Sequence, residues 1–243
     1  RPGKSFNFFS PLGPFATKKP SSWEREVPSG NLIGFLASLL MRIFAILAST
    51  PTRSQINILL LPLVSSPLYA YRVSENNFPV IGEGSHEAKI MFVGEAPGKN
   101  EAKTGKPFCG ASGKILDQLL VSANIKREEV YVTNVVKDRP PGNRDPEPVE
   151  IDLYGPFLDK QIDIIQPKVI ATLGRFSMAY IMKKFALEQD LTVISKIHGK
   201  IYKTSASYGE LVVIPLFHPA VAVYDRSKLE DMKKDFSILK TFY

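Results

Sequence analysis

The sequence predicts an α/β domain, a parallel sheet flanked by helices, beginning near residue 85 of the 243. Three observations carry that reading. From Glu87 onward, short apolar runs alternate with segments whose apolar residues recur at helical spacing, the pattern of strands joined by crossover helices. The first run, Ile90 to Val93, is apolar without interruption, as suits a strand buried on both faces. It ends in a turn bracketed by Gly94 and Gly98, and the carboxyl end of a buried strand is where an open α/β sheet places its binding crevice.

The segment ahead of the domain has a different texture. Pro2, Pro11, Pro14, Pro20 and Pro28 lie among Gly, Ser and Lys and predict a disordered lead-in over residues 1 to 30. Arg1 is not expected to be a translation start, and no secretory signal is readable there. Leu32 to Ala48 is almost wholly apolar, at the short limit for a membrane span, but carries Arg42 at its centre. A central arginine costs about 2.5–3.5 kcal/mol on insertion scales, so a buried or self-packed helix is favoured and no stable membrane association is expected. Residues 56 to 71 are apolar but broken by Pro62 and Pro67, which fits neither one long helix nor a central strand.

Within the domain, Gly113 to Ser122 puts Ile115, Leu116, Leu119 and Leu120 on one helical face, with Asn124 suited to the stop. A second strand is expected at Glu129 to Asn134. Residues 138 to 148 are too rich in Pro and Gly for regular structure and predict a loop at that strand's end. A helix over Val149 to Ile165 leads to a third strand, Lys168 to Leu173, stopped by Gly174. A helix over Arg175 to Phe185 and a strand over Leu211 to Leu216 follow. Leu229, Met232, Phe236 and Leu239 line one face of a closing helix, Lys228 to Leu239.

Composition sets limits on function. A hydrophobic content of 44% is ample for a core, and the net charge of +7 favours an anionic partner such as nucleic acid over a plain basic surface. Most of that excess lies before residue 87, which weakens the charge argument for the domain itself. The single cysteine, Cys109, excludes an intramolecular disulfide framework and a multi-cysteine metal site, and fits a reducing, intracellular, cytoplasmic setting.

The strand ends carry the chemistry. Glu95 and Phe108 follow the first strand, Asn134 ends the second, and His218 follows the fourth. An amide can bond two adjacent edge groups of a base, an aromatic ring can stack on it, and a histidine can stabilise a developing anion. Each also has a plain structural reading: His218 before Pro219 as a strand-end cap, Asn134 as a turn residue, Phe108 as core.

Together these residues sit in motifs that resemble a known family. GEAPG at Gly94 to Gly98, GKPFCGASG at Gly105 to Gly113, VTNVVK at Val132 to Lys137, RPPGNRDP at Arg139 to Pro146, TLGR at Thr172 to Arg175 and HPA at His218 to Ala220 resemble the family-four, iron–sulfur uracil-DNA glycosylases. The match covers about two thirds of the chain, giving an expected poorly matching extension over 1–80 and a glycosylase-like domain over 81–243. The resemblance implies a three-layer α/β/α sandwich around a four-stranded parallel sheet, and a monofunctional enzyme that flips uracil out of DNA and hydrolyses its N-glycosidic bond; a monomer and a single- or double-stranded DNA substrate are expected.

By position, the resemblance gives Phe108 the stacking role, Asn134 the reading of the base edge, His218 the stabilisation of the departing uracil, and the Glu95–Ala96 backbone the remaining edge. Glu95 or Glu101 would position water. The methyl of Ala96 cannot act as a base, so anion stabilisation is expected to dominate. HPAVAVYDRSK resembles the segment that intrudes into the duplex: Val221, Val223 and Tyr224 are candidate wedges, and Arg226 and Lys228 would meet phosphates. Arg144, Lys196, His198 and Lys200 are further backbone-contact candidates.

The chain departs from the family at its metal site. The family holds a four-iron–four-sulfur cluster through four cysteines, and the register puts Leu68, Tyr71, Asp138 and Tyr154 at those places here. Carboxylate and phenol do not replace thiolates, so no metal and no cofactor are expected. That loss motivates the rival reading, a non-catalytic DNA-binding or accessory protein on the same fold.

Overall fold

The computed structural model describes residues 66–243; the proline-rich lead-in and the apolar Leu32 to Ala48 run lie outside them. Ser66 caps a first helix, α1 (Pro67–Ser74), by accepting from the Leu68 amide. Pro67, a breaker on paper, takes the first helical position, where a missing N–H costs nothing. Then come β1 (Glu83–Gly84), β2 (Ile90–Gly94), α2 (Lys99–Thr104), α3 (Ala111–Ser122), β3 (Tyr131–Asn134), α4 (Pro148–Ile165), β4 (Val169–Leu173), α5 (Arg175–Lys184), α6 (Ile194–Ile197), β5 (Tyr202–Ala206), β6 (Gly209–Leu216), α7 (Ala220–Tyr224) and α8 (Leu229–Ile238).

The strands form one sheet in the order β1-β3-β2-β4-β6-β5. The central four are parallel, as expected from sequence, with Gly94 beside Asn134 and Thr172 beside both Val93 and Pro215. The sheet is nevertheless six-stranded and mixed, because β1 and β5 add antiparallel edges on β3 and β6. β5 is half exposed and polar, and β1 is two residues long, so neither carries the apolar run that marks a central strand.

Alternate residues of each central strand feed two cores. Ile90, Phe92, Val132, Ala171 and Ile214 meet α3 and α8 through Leu116, Leu119, Met232 and Phe236. Met91, Val93, Ile170 and Val213 meet α4 and α5 through Leu158, Ile162, Met178 and Ile181. The result is the three-layer sandwich, in which parallel strands direct their carboxyl ends to one edge. Asn124 ends the α3 region in the left-handed conformation, at φ 55°. No helix among the described residues is long and apolar enough to cross a membrane.

Candidate active site

At that edge the chain encloses a cavity of about 290 Å3, lined by Glu95, Ala96, Pro97, Gly98, Glu101, Phe108, Ser112, Asn134, Pro140, Asn143, Arg144, His218, Ala220 and Tyr224. Residues separated by more than a hundred positions converge there because β2, β3 and β6 all run toward it. A larger hollow of about 700 Å3 beside β1 contains none of the residues expected from sequence.

Gly94 makes room for the recognition groups. A Cβ at that position would lie 2.3 Å from Asn134 Oδ1 and 2.7 Å from Phe108 Cζ, so only a bare backbone lets both side chains close over it. Asn134 is 2% exposed, and its amide oxygen has no hydrogen-bond partner. A buried orphan acceptor is costly, and such groups call for an explanation, which a ligand donor would supply here.

Phe108 is held in a backbone conformation bulky residues avoid, with φ 49°. Its carbonyl packs where a side chain on Gly113 would intrude and accepts from Arg127 Nη2 at 3.3 Å. Glu101 Oε1 accepts from the Cys109 and Gly110 amides at 3.0 and 2.8 Å. Glu101 therefore braces the loop that aims Phe108, a role sequence reading missed.

His218 lies with its ring centroid 5.7 Å from that of Phe108. Its Nδ1 accepts from the Ala220 amide at 3.1 Å. A backbone N–H can only donate, so Nδ1 is unprotonated and the neutral ring carries its proton on Nε2. Burial pushes the imidazole pKa down to about 4, against a smaller opposing pull from Glu101. The ring is thus a neutral donor at physiological pH. Burial, helped by the Asp145 carboxylate and opposed by Arg175, raises Glu95 to about 7. Arg175 and Asp145 form an ion pair with each other.

The expected DNA contacts separate into two groups. Tyr224, 90% exposed, and Arg144 line the cavity rim. Arg144 is also tied to Glu150 at 2.6 Å. Val223, Arg226 and Lys228 are exposed on or just after α7, while Lys196, His198 and Lys200 flank the Gly199 turn, none of them lining the cavity. His198 Nδ1 lies 2.7 Å from Asp235 Oδ2, and its ring sits tilted against Phe217 with centroids 4.3 Å apart.

The residues at the four places where the resemblance expects cluster ligands do not fit a cluster. Leu68, Val136 and Tyr154 fill the space as a compact apolar group against which Ala96 packs. Tyr154 Oη donates to Asp138 Oδ2 at 2.6 Å and meets Ser66 Oγ at 2.8 Å, and Arg72 Nη1 spans both Asp138 oxygens at 3.0 and 3.2 Å. Tyr71 contributes only a long contact from Arg139 at 3.4 Å. The sole cysteine, Cys109, is exposed next to the cavity instead, and among the described residues no group of His, Cys, Asp and Glu could hold a metal.

Comparison with known proteins agrees with this geometry. Residues 81–240 match the family model described as the uracil DNA glycosylase superfamily. The chain is similar to the type-4 uracil-DNA glycosylase of Sulfurisphaera tokodaii, 48% identical over 162 residues, covering 66% of this chain and 73% of that protein. It is 45% identical over 157 residues to the type-4 enzyme of Archaeoglobus fulgidus, covering 65% and 78%. The type-4 enzyme of Thermotoga maritima is 42% identical over 167 residues, covering 66% and 83%.

Proposed function

Because the chain belongs to the uracil DNA glycosylase superfamily, we propose that it hydrolyses the N-glycosidic bond of uracil flipped out of DNA, leaving an abasic site. The observation that carries this is the unpaired, buried Asn134 amide oxygen in the wall of a cavity that also holds Phe108 and His218. An acceptor there suits the N3–H of uracil. Cytosine offers a lone pair at the same edge position and would leave the acceptor orphaned.

In this reading Phe108 stacks on the base and the Glu95–Ala96 backbone meets its remaining edge. Water adds to C1′ as the C1′–N1 bond breaks, and the bonding pair leaves with uracil and spreads onto O2. The Nε2–H of neutral His218 donates to that oxygen, and a donor placed where charge develops is worth about 2.7–4 kcal/mol. Ionised Glu95 orients the water and takes its proton. Glu101 acts through the Phe108 loop.

Tyr224 and Val223 would wedge the duplex, with Arg144, Lys196, His198, Lys200, Arg226 and Lys228 on the backbone. The working unit is read as residues 81–243 with α1 as an added strut, a soluble intracellular monomer acting on single- or double-stranded DNA without a cofactor. The test is incubation of purified chain with an end-labelled oligonucleotide bearing one uracil, followed by alkaline cleavage. Scission at uracil and not at cytosine is expected; a folded protein that leaves the strand intact would overturn the reading.

A further inference from the structure

Behind the recognition amide lies a charged group that no part of the proposed chemistry uses. Lys137 is 0% exposed. Its Nζ donates to Thr133 Oγ1 at 2.8 Å, to the Asn134 backbone carbonyl at 2.6 Å and to Gln161 Oε1 at 2.6 Å. An ammonium has three donors and no acceptor, so these partners satisfy it completely. A buried amine with no task would be expensive to keep, since burial disfavours its charge and pushes its pKa down to about 7.

The arrangement closes on itself. Lys137 lies three residues beyond Asn134, and its side chain folds back over the end of β3, so the turn from Thr133 to Lys137 is locked by its own member. Thr133 Oγ1 passes the contact on to the Ile81 carbonyl at 2.7 Å, and Gln161 Nε2 reaches the same carbonyl at 2.9 Å. The Lys137 carbonyl in turn accepts from the Val80 amide at 2.8 Å. Three separated segments, residues 80–81, 133–137 and α4, are thus pinned around one nitrogen. On the cavity side, the Val135 and Val136 amides donate to the Gly94 and Glu95 carbonyls at 3.0 Å each, so the same turn also fixes the backbone beside the base.

The Asn134 amide oxygen has no bond within the protein, so the direction of that side chain is set through its backbone and by its close approach to the bare Gly94 backbone. We propose that Lys137 is a positioning residue for base recognition, its buried ammonium fixing the Asn134 backbone and thereby the amide that meets uracil. This rests on the reading of Asn134 as the base-reading residue.

A double-mutant cycle tests it, using Lys137→Met, Asn134→Ala and the pair, each assayed for single-turnover excision and for binding to DNA carrying 2′-fluoro-deoxyuridine, whose glycosidic bond resists cleavage. Lys137→Met is expected to lower the maximal rate about tenfold or more, as displacement of an aligned group does, with little change in the concentration for half-saturation. In the Asn134→Ala background the same change should cost less than about twofold in either readout. Equal losses in both backgrounds would mean a purely structural lysine and overturn the inference while leaving the Asn134 reading intact. Wild-type excision by Asn134→Ala would overturn both. Should Lys137→Met fail to fold, Gln161→Leu, which removes one acceptor and keeps the amine, goes through the same cycle with the same expected non-additivity.

Discussion

The phenol of Tyr154 donates to Asp138 Oδ2 across 2.6 Å, joining two positions that the register with the resembling iron–sulfur family puts at cluster cysteines. With Arg72 on the same carboxylate and Ser66 on the phenol, α1 is tied to the start of the loop that supplies Pro140, Asn143 and Arg144 to the cavity. Tyr154→Phe removes a hydrogen bond to a buried charge, a loss of about 1.5–3 kcal/mol. The expected result is a melting temperature lower by about 5 °C or more in thermal denaturation. Iron and sulfide analysis of purified protein should find no stoichiometric metal, and stoichiometric iron would sink the assignment of this network as the brace.

Glu95 and His218 give a signed pH dependence. Glu95 is held protonated up to about 7, so excision should rise with pH through that value as the carboxylate that orients water forms. His218 is neutral from about 4 upward and adds no inflection near neutrality. For stability the signs differ. A raised carboxyl pKa favours the folded state at low pH, and that contribution is lost as pH climbs from 4.5 through 7; the lowered imidazole pKa favours folding above 6.5, and that contribution is lost as pH falls toward 4. Glu95→Gln should flatten the rate profile and stabilise the protein at pH 8 by about 1 kcal/mol, solvent at the cavity mouth screening the rest. An unchanged inflection in the variant's rate profile would remove Glu95 from the water-activating role.

Gly94→Ala should abolish recognition without unfolding the sheet. The new methyl meets Asn134 Oδ1 and Phe108 Cζ well inside contact distance, and its φ is not in the left-handed range, so the cost falls on the two side chains. Excision should fall about a hundredfold with a native circular dichroism spectrum, as misplacement by about 1 Å implies.

Tyr224→Ala separates strand opening from chemistry. Tyr224 is exposed yet lines the cavity, so removing its ring should slow excision from duplex several-fold more than from single-stranded DNA, where no base pair must be opened. Equal slowing on both substrates would argue against a wedge.

The parts legible in the sequence were those where one physical demand dominates. Burial on both faces wrote β2 and β4 as apolar runs, and one-sided burial wrote α3 and α8 as stripes. The edge strands were not legible, because β5 faces solvent along half its length and Tyr202, Thr204 and Ala206 form only a weak alternation with Lys203 and Ser205. Pro67 read as an interruption because the signal that decides its role, a capping Ser66, is a single residue. Phe108, Asn134 and His218 stood out through their motifs and line one cavity, whereas the packing of Lys137, though inside the VTNVVK motif, did not stand out: a lysine reads as a solvated charge until residues 133, 134 and 161 are brought around it. The loop-bracing role of Glu101 stayed hidden for the same reason, since nothing in the sequence pairs it with two amides eight and nine positions later.

The plug of Leu68, Val136 and Tyr154 behind Ala96 has a consequence for how the protein comes into being. A wall built from side chains of the chain itself is finished when the chain has folded. Such a wall presents solvent and oxidants with a leucine, a valine and a phenol, none of them a thiolate.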